Sequence, residues 1–495
     1  MTFSQSPAPP KVATAPDPHA AGDGLDRRAL VAGLLGAIVP LRGQAQDAGP
    51  GPPAARGLAE GQLTGLIEAR SSVAVLKPGL RTDVWTFGGR TPGATLRLKP
   101  GEDYRARLVN GLDRPVSIHW HGVRLANAMD GVAGLTQQAV APGASFDIRF
   151  TPPDAGTFIY RPLVIGSCGE LQDRGLAGLF VVEDRTPQSV DREIDLIVDD
   201  WRLNEAGQPE PFGALADAAG FGRLGNLLTV NGLAAPYRET VFPGARLRLR
   251  LANICNARLM RIRFDGLKAW TIAVSGQPTD RFEPLRAMLP LYPGARYDVI
   301  VEVPDEAGIE AGVTGLLGAA SAPLLALRTE GESAFKRRGA LPAVAALGDN
   351  PLLPAAIRLQ GATRADVVIQ GGATLGPDGF APFTGDPGRV WTVNGVAGGG
   401  FSGRPLVSVK RGTTVVLALM NRTAVPQALH LHGHVMRYLH PFDDGWEPYW
   451  LDTVLVPEGQ TVRVAFLADN LGRWLLGSSV LERLDTGLAA WFQVT

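Results

Sequence analysis

Two cysteines, six methionines and seven histidines are all that 495 residues offer in sulfur and imidazole. Cys168 and Cys255 make at most one pair, so no disulfide framework and no cysteine-rich metal cluster is available. An exported chain can join such a pair, but the sequence does not place the two side by side. Cys255, within "RLANICNARL", reads as a small core residue. An excess of charge is also missing: 48 Lys and Arg balance 48 Asp and Glu. With no basic stripe, nucleic acid has no electrostatic foothold. Long apolar runs are absent too. Ala29 to Val39 is apolar for eleven residues, too short to span a bilayer, and no other membrane segment is found.

What is present is turn chemistry and alternation. The 61 glycines and 39 prolines are spread along the chain, which suits many short strands joined by turns. An apolar content of 45% supports globular folding, and the length argues for about two to four domains. The start reads as an address: Arg27 and Arg28 precede the short apolar segment, and Gly43 and Ala45 offer small-residue cleavage. This resembles a bacterial twin-arginine export signal over residues 1–45, implying a periplasmic or secreted mature chain.

Three segments superimpose without gaps: "PGEDYRARLVN", "PGARLRLRLAN" and "RGTTVVLALMN", each running from a glycine (Gly101, Gly244, Gly412) to an asparagine (Asn110, Asn253, Asn421). Apolar and polar residues alternate between them, the period of a half-buried strand. A later strand opens with a turn in each copy ("PGASFDIRF", "PGARYDVIVEV", "PEGQTVRVAF"), and "TVNG" occurs at 229–232 and again at 392–395. The chain is therefore expected to be all-β, three copies of one antiparallel sandwich domain. The expected limits are 58–185, 190–330 and 365–495, with a linker over 331–364.

Five of the seven histidines sit at one register of this repeat. "VSIHWHGVRL" carries His119 and His121, and "QALHLHGHVM" carries His430, His432 and His434. On a strand, residues i and i+2 share a face roughly 6.5 Å apart, a spacing that suits two neighbouring metals. Imidazole is a favoured ligand of copper and zinc. The second copy has Ile262 and Phe264 instead. A site shared by the first and third domains follows.

With these motifs the chain resembles the multicopper oxidases, the laccase-like family of three cupredoxin domains with Greek-key sandwiches. "MDGVAGLTQQAVAPGASFDIRFTPPDAGTFIY" and "WLDTVLVPEGQTV" also have the family's form. The resemblance implies a mononuclear electron-entry copper and a trinuclear cluster between domains one and three, held by ten histidines, one cysteine and usually an axial methionine. By that pattern His119 and His430 match ligands of the single (type 2) copper, and His121 and His432 match ligands of the coupled pair. His434 is ordinarily not a ligand. The remaining positions differ. Arg161 and Leu163 stand where the second motif has histidines, and Gln427 where the third begins. Gly477, Ser478 and Ser479 replace the His-Cys-His triplet, Arg483 the next histidine and Leu488 the methionine.

Without thiolate and imidazole donors the electron-entry copper is not expected, nor is four-electron reduction of oxygen. Arg161 is expected to point into the former cluster, where its fixed charge opposes a nearby cation. Asp130 matches the family's proton-relay acid, and without a cluster the plainer reading, a turn residue in "MDG", is preferred. Two readings follow. One is a residual copper protein with at most about one ion per chain, between His119 and His430, with His121 and His432 completing four imidazole ligands. It would store copper or act as a weak copper-dependent oxidoreductase. The other is a non-enzymatic periplasmic scaffold with a protein partner, similar to the copper-free division protein of the same fold. The intact histidine quartet favours the first; Arg161, Leu163 and the erased fourth motif favour the second. No methionine-rich segment suggests handling of Cu(I), and no substrate is legible.

Overall fold

The computed structural model describes residues 63–377, 379–401, 403–440 and 445–495. The twin-arginine segment and its cleavage site lie outside the described residues.

Strands fall into three blocks, each closing two packed sheets. In the first, Leu80–Phe87, Gly65–Lys77, Tyr104–Asn110 and Ser145–Phe150 form one sheet, and Leu96–Leu98, Gly178–Val182, Gly156–Arg161 and His119–His121 form the other. The second block pairs a seven-stranded with a five-stranded sheet, and the third a six-stranded with a five-stranded one. The protein is all-β with three cupredoxin-like domains. The sheets are mixed rather than purely antiparallel. Gly65–Lys77 runs parallel to Tyr104–Asn110, Arg192–Trp201 to Arg246–Asn253, and Thr363–Gly371 to Thr413–Asn421. Turn residues and alternation do not encode strand direction, so this recurring parallel pair was invisible in the sequence.

The repeat asparagines explain why the three copies share a register. Asn253, at the end of Arg246–Asn253, accepts the Cys255 N–H at 2.9 Å and donates to the carbonyls of Arg258 and Leu291. Asn110 and Asn421 do the same, each accepting from the residue two ahead and donating to a carbonyl four ahead. All three are fully buried. The side chain thus replaces sheet partners where the strand turns away. The repeated "TVNG" has an equally local cause. Asn231 and Asn394 take φ of 55° and 52°, each followed by a glycine at positive φ, as a two-residue hairpin turn requires. Each asparagine side chain then bonds the neighbouring strand, Asn231 to Ile197 N–H and Asp195 C=O, Asn394 to Val368 N–H and Asp366 C=O.

Between Ala320–Thr329 and Thr363–Gly371 the chain has only the short helix Ala334–Arg338. Ile262 and Phe264, at the histidine register of the second domain, are buried in its apolar core.

Candidate metal centre

The strand His119–His121 lies at the edge of its sheet, with His119 opposite Arg161 and His121 opposite Ile159. In the third domain Gln427–Leu431 runs between Thr453–Val456 and Gly472–Ser478, so His430 faces Thr453 on one side and Gly477 on the other. The glycine after each pair makes room for the neighbours that brace it. A Cβ on Gly122 would strike the Arg296 guanidinium and the Asp452 carboxylate, and one on Gly433 would strike the Trp474 ring.

These strands bring all four expected histidines together in a buried cluster. Ring centroids are 3.8 Å apart for His121 and His430, 4.1 Å for His119 and His432, and 4.5 Å for His430 and His432. His434 is elsewhere, packed among Phe466, Trp474 and Phe492, with its Nε2 accepting from Asn470 N–H.

The hydrogen bonds fix which ring nitrogens carry protons. His119 Nδ1 is 2.7 Å from the Asp130 carbonyl, and His430 Nδ1 is 3.0 Å from the Asp452 carbonyl. A carbonyl only accepts, so both Nδ1 atoms hold a hydrogen, and in the neutral form of each ring Nε2 presents a bare lone pair. Those two Nε2 atoms face each other at 3.3 Å. Two lone pairs at that distance repel unless a cation lies between them. A metal with bonds of about 2.0 Å at a tetrahedral angle needs a bite of roughly 3.3 Å. The donor set of His119 and His430 therefore fits one copper or zinc ion.

His121 is oriented the other way. The Arg161 guanidinium, which only donates, lies 2.9 Å from His121 Nδ1, so the proton is on Nε2 and goes to Thr453 Oγ1 at 3.1 Å. Arg161 thus occupies the lone pair through which His121 would otherwise bind a metal. His432 gives its Nδ1–H to Asp130 Oδ2 at 2.9 Å. Asp130 is not a solvent-facing turn residue. It is buried, and ties the first-domain motif to the third through carbonyl and carboxylate. That double bond to facing domains is tertiary information, absent from "MDG".

Burial lowers the basicity of three of these rings. Desolvation holds His121 and His432 well below the ordinary imidazole range, and brings His430 down to about 4 despite its bond to Asp452. Burial pushes Asp130 and Asp452 up, but His432 and His119 around the first, and Arg296 and His430 around the second, hold both well below the carboxylate range. Arg296, from the second domain, forms a buried ion pair with Asp452 and bonds the Gly294 and Thr157 carbonyls. The immediate core thus holds two carboxylates against two guanidiniums around the four rings. Arg296, Asp452 and Thr453 were not recognised from sequence. Their signals were "GARYDV" and "WLDTV", motifs whose alternation also accounts for plain strands.

The positions that the family gives to the electron-entry copper hold another guanidinium. Arg483 donates to Gln427 Oε1 at 2.8 Å and to the Pro426 and Gly220 carbonyls. Gln427 in turn donates to Thr423 Oγ1. Ser478 accepts from Val480 N–H, and Leu163 and Leu488 are buried in apolar clusters. Cys168 and Cys255 are both free and buried, and neither joins the histidine cluster.

Comparisons with known proteins agree with this fold. Three sequence models described as multicopper oxidase match residues 69–187, 196–309 and 377–495. The multicopper oxidase MmcO of Mycobacterium tuberculosis is 30% identical over 79% of this chain and 79% of its own length. The cell division protein FtsP of Escherichia coli is 26% identical, covering 83% of this chain and 85% of its own. A crystal structure of a multi-copper oxidase from Pseudomonas thermotolerans superimposes with a TM-score of 0.75 at 31% identity, over 88% of this chain and all of that one. The chain belongs to the multicopper oxidase family.

Proposed function

We propose that this is an exported multicopper-oxidase-fold protein that keeps a single copper position, between His119 and His430, and has given up four-electron reduction of oxygen. The observation that carries the reading is the pair of bare Nε2 atoms facing each other at 3.3 Å, each ring braced from behind by a backbone carbonyl. Copper bound there would supply slow one-electron chemistry or storage. The protein's own part is to hold two imidazoles rigidly in a dry core, with Asp130 fixing His432 beside them. The missing thiolate and the guanidinium on His121 support a count of at most about one ion. The twin-arginine sequence at Arg27 and Arg28 supports export to the periplasm. The test is elemental analysis of protein exported in copper-rich medium, wild type against His119→Ala/His430→Ala. About one copper per chain, lost in the double variant, is expected. Two or more tight ions, or unchanged content in the variant, would place the metal elsewhere.

A second reading is favoured by a specific observation. Both positions that the family gives to lost coppers are filled by buried arginines, Arg161 and Arg483. With Arg161 and Arg296 set against Asp130 and Asp452, the core is balanced in charge without metal. That suits a non-enzymatic periplasmic scaffold that docks a protein partner, the role suggested by the likeness to FtsP. A chain that melts identically with chelator and with copper would favour this scaffold.

A further inference from the structure

A second group of metal-ligating side chains lies apart from the histidines, where the first domain meets the second. The strand Arg192–Trp201 carries Asp199 and Asp200 just before its last residue. The backbone bond from Ile254 N–H to Val198 C=O draws the segment after Arg246–Asn253 alongside, and the Cys255 thiol points at the same Val198 carbonyl. One donor atom each from Asp199, Asp200 and Cys255 lies within 4.8 Å of the others, all three buried. Asn256 follows, its amide donating to Asp173 of the first domain.

The partners of these groups are lopsided. Asp200 Oδ2 accepts from Gly225 N–H and from Arg258, while its Oδ1 has no hydrogen-bond donor among the described residues and the Cys255 thiol lies beside the carboxylate. Asp199 accepts only the Asp200 N–H and makes no ion pair among the described residues. The neighbouring Asn256 Oδ1 and Gln172 Oε1, both buried, also lack donors. Every unsatisfied atom of these residues is an acceptor oxygen, the deficit a cation fills.

We propose that Asp199, Asp200 and Cys255, with Asn256 as a neutral oxygen donor, form a binding site for one zinc-class divalent cation. A thiolate among the donors argues against calcium or magnesium, which take six or more oxygens, and two carboxylates argue against Cu(I). Donors on a four-coordinate zinc are roughly 3.3–4 Å apart, and one donor atom from each of the three residues already lies within 4.8 Å of the others. Binding forms one sulfur–metal and two carboxylate–metal bonds as the Cys255 S–H proton and the Asp199 carboxyl proton leave to solvent. Arg258, on the far oxygen of Asp200, orients that carboxylate. The bound ion would pin the end of Arg192–Trp201 to the segment that contacts the first domain.

The test uses the full mature chain stripped by chelator, with Co²⁺ as the optical probe and Zn²⁺ as competitor. The histidine core has no thiolate, so a thiolate-to-cobalt charge-transfer band reads this site alone, whatever the outcome for copper. One equivalent of Co²⁺ should produce the band, Zn²⁺ should bleach it, and Zn²⁺ should raise Tm by several degrees. Cys255→Ser should abolish the band and Cys168→Ser should keep it. Asp199→Asn should weaken Co²⁺ at least tenfold, and it carries the test if Cys255→Ser does not fold. No band in the stripped wild type, a band that follows Cys168, or undiminished affinity in Asp199→Asn would overturn the site.

Discussion

Ser478 is one side chain, yet it decides a spectrum. Intense blue colour in copper proteins comes from charge transfer between a cysteine thiolate and Cu(II), at roughly 600 nm. Ser478 instead accepts a backbone N–H from Val480. Copper-loaded protein should therefore show no such band from this position, and a blue solution that survives Cys255→Ser would refute the ligand assignment. Arg161 acts at the same scale. Its guanidinium is buried, with His121 Nδ1 as its one hydrogen-bond acceptor among the described residues. Desolvation lowers its pKa only to about 10, so it stays charged at neutral pH. Removing it would leave the Asp130 and Asp452 carboxylates facing Arg296 alone, strip His121 of its donor and open a cavity. Arg161→Ala should lose about 1–3 kcal/mol in chelator. Copper should restore part of that, because the core then carries a net negative charge. Equal melts of variant and wild type in chelator would dismiss the idea that Arg161 stands in for metal charge.

At the scale of the element, the buried asparagine that closes each repeat strand is the local reason that three divergent segments keep one register. Asn253 needs both faces of its amide: the oxygen accepts from Cys255 N–H, the nitrogen donates to two carbonyls. Asparagine-to-aspartate keeps the acceptor but strands the carbonyls of Arg258 and Leu291 against a carboxylate. Asn253→Asp should therefore destabilise nearly as much as Asn253→Ala, by about 2–4 kcal/mol in denaturant unfolding. An aspartate variant within a few tenths of wild type would show that the acceptor half alone holds the strand end. The same element logic explains what alternation missed. Strand period and turn glycines specify where strands lie and which face is buried. The parallel pairing of Gly65–Lys77 with Tyr104–Asn110 depends on a crossover between sheets.

Over the whole molecule, three domains are tied by buried polar contacts that no single domain could satisfy. Arg223 of the second domain gives its side chain to Asp173 of the first and its backbone N–H to Glu482 of the third. Asp485 of the third domain accepts three backbone N–H groups at the start of the first-domain helix Cys168–Asp173. Burial, with Asp217 nearby, raises Glu482 to about 7 despite its bond from Arg223 N–H. The native state keeps that proton until about pH 7, while the unfolded chain releases it near the ordinary 4.5. Stability should therefore fall as pH rises between those values, and stay lower above them. Asp173 and Asp199, raised by burial, add to the same slope. Glu482→Gln keeps an acceptor for Arg223 and removes the charge. Its melting advantage should be absent near pH 4.5 and reach on the order of 1–3 kcal/mol at pH 8. An advantage of equal size at both pH values would count against the titration of Glu482.

Gly101, Gly244 and Gly412, each nine residues before its asparagine, are enough by themselves to declare three copies of one sandwich domain, because strand period and turn chemistry are local. The histidine register was legible for the same reason, and it named the four rings that come together. Distance and tautomer were not. That His119 and His430 present bare nitrogens to each other depends on carbonyls of Asp130 and Asp452, and the donor on His121 comes from another strand. Only the tertiary structure brings Arg296 from the second domain onto Asp452 of the third. Likewise it sets Cys255 against Asp199 and Asp200 across a gap of more than fifty residues. Hydrogen-bond geometry acts over about 3 Å, and no sequence spacing determines which distant groups come that close.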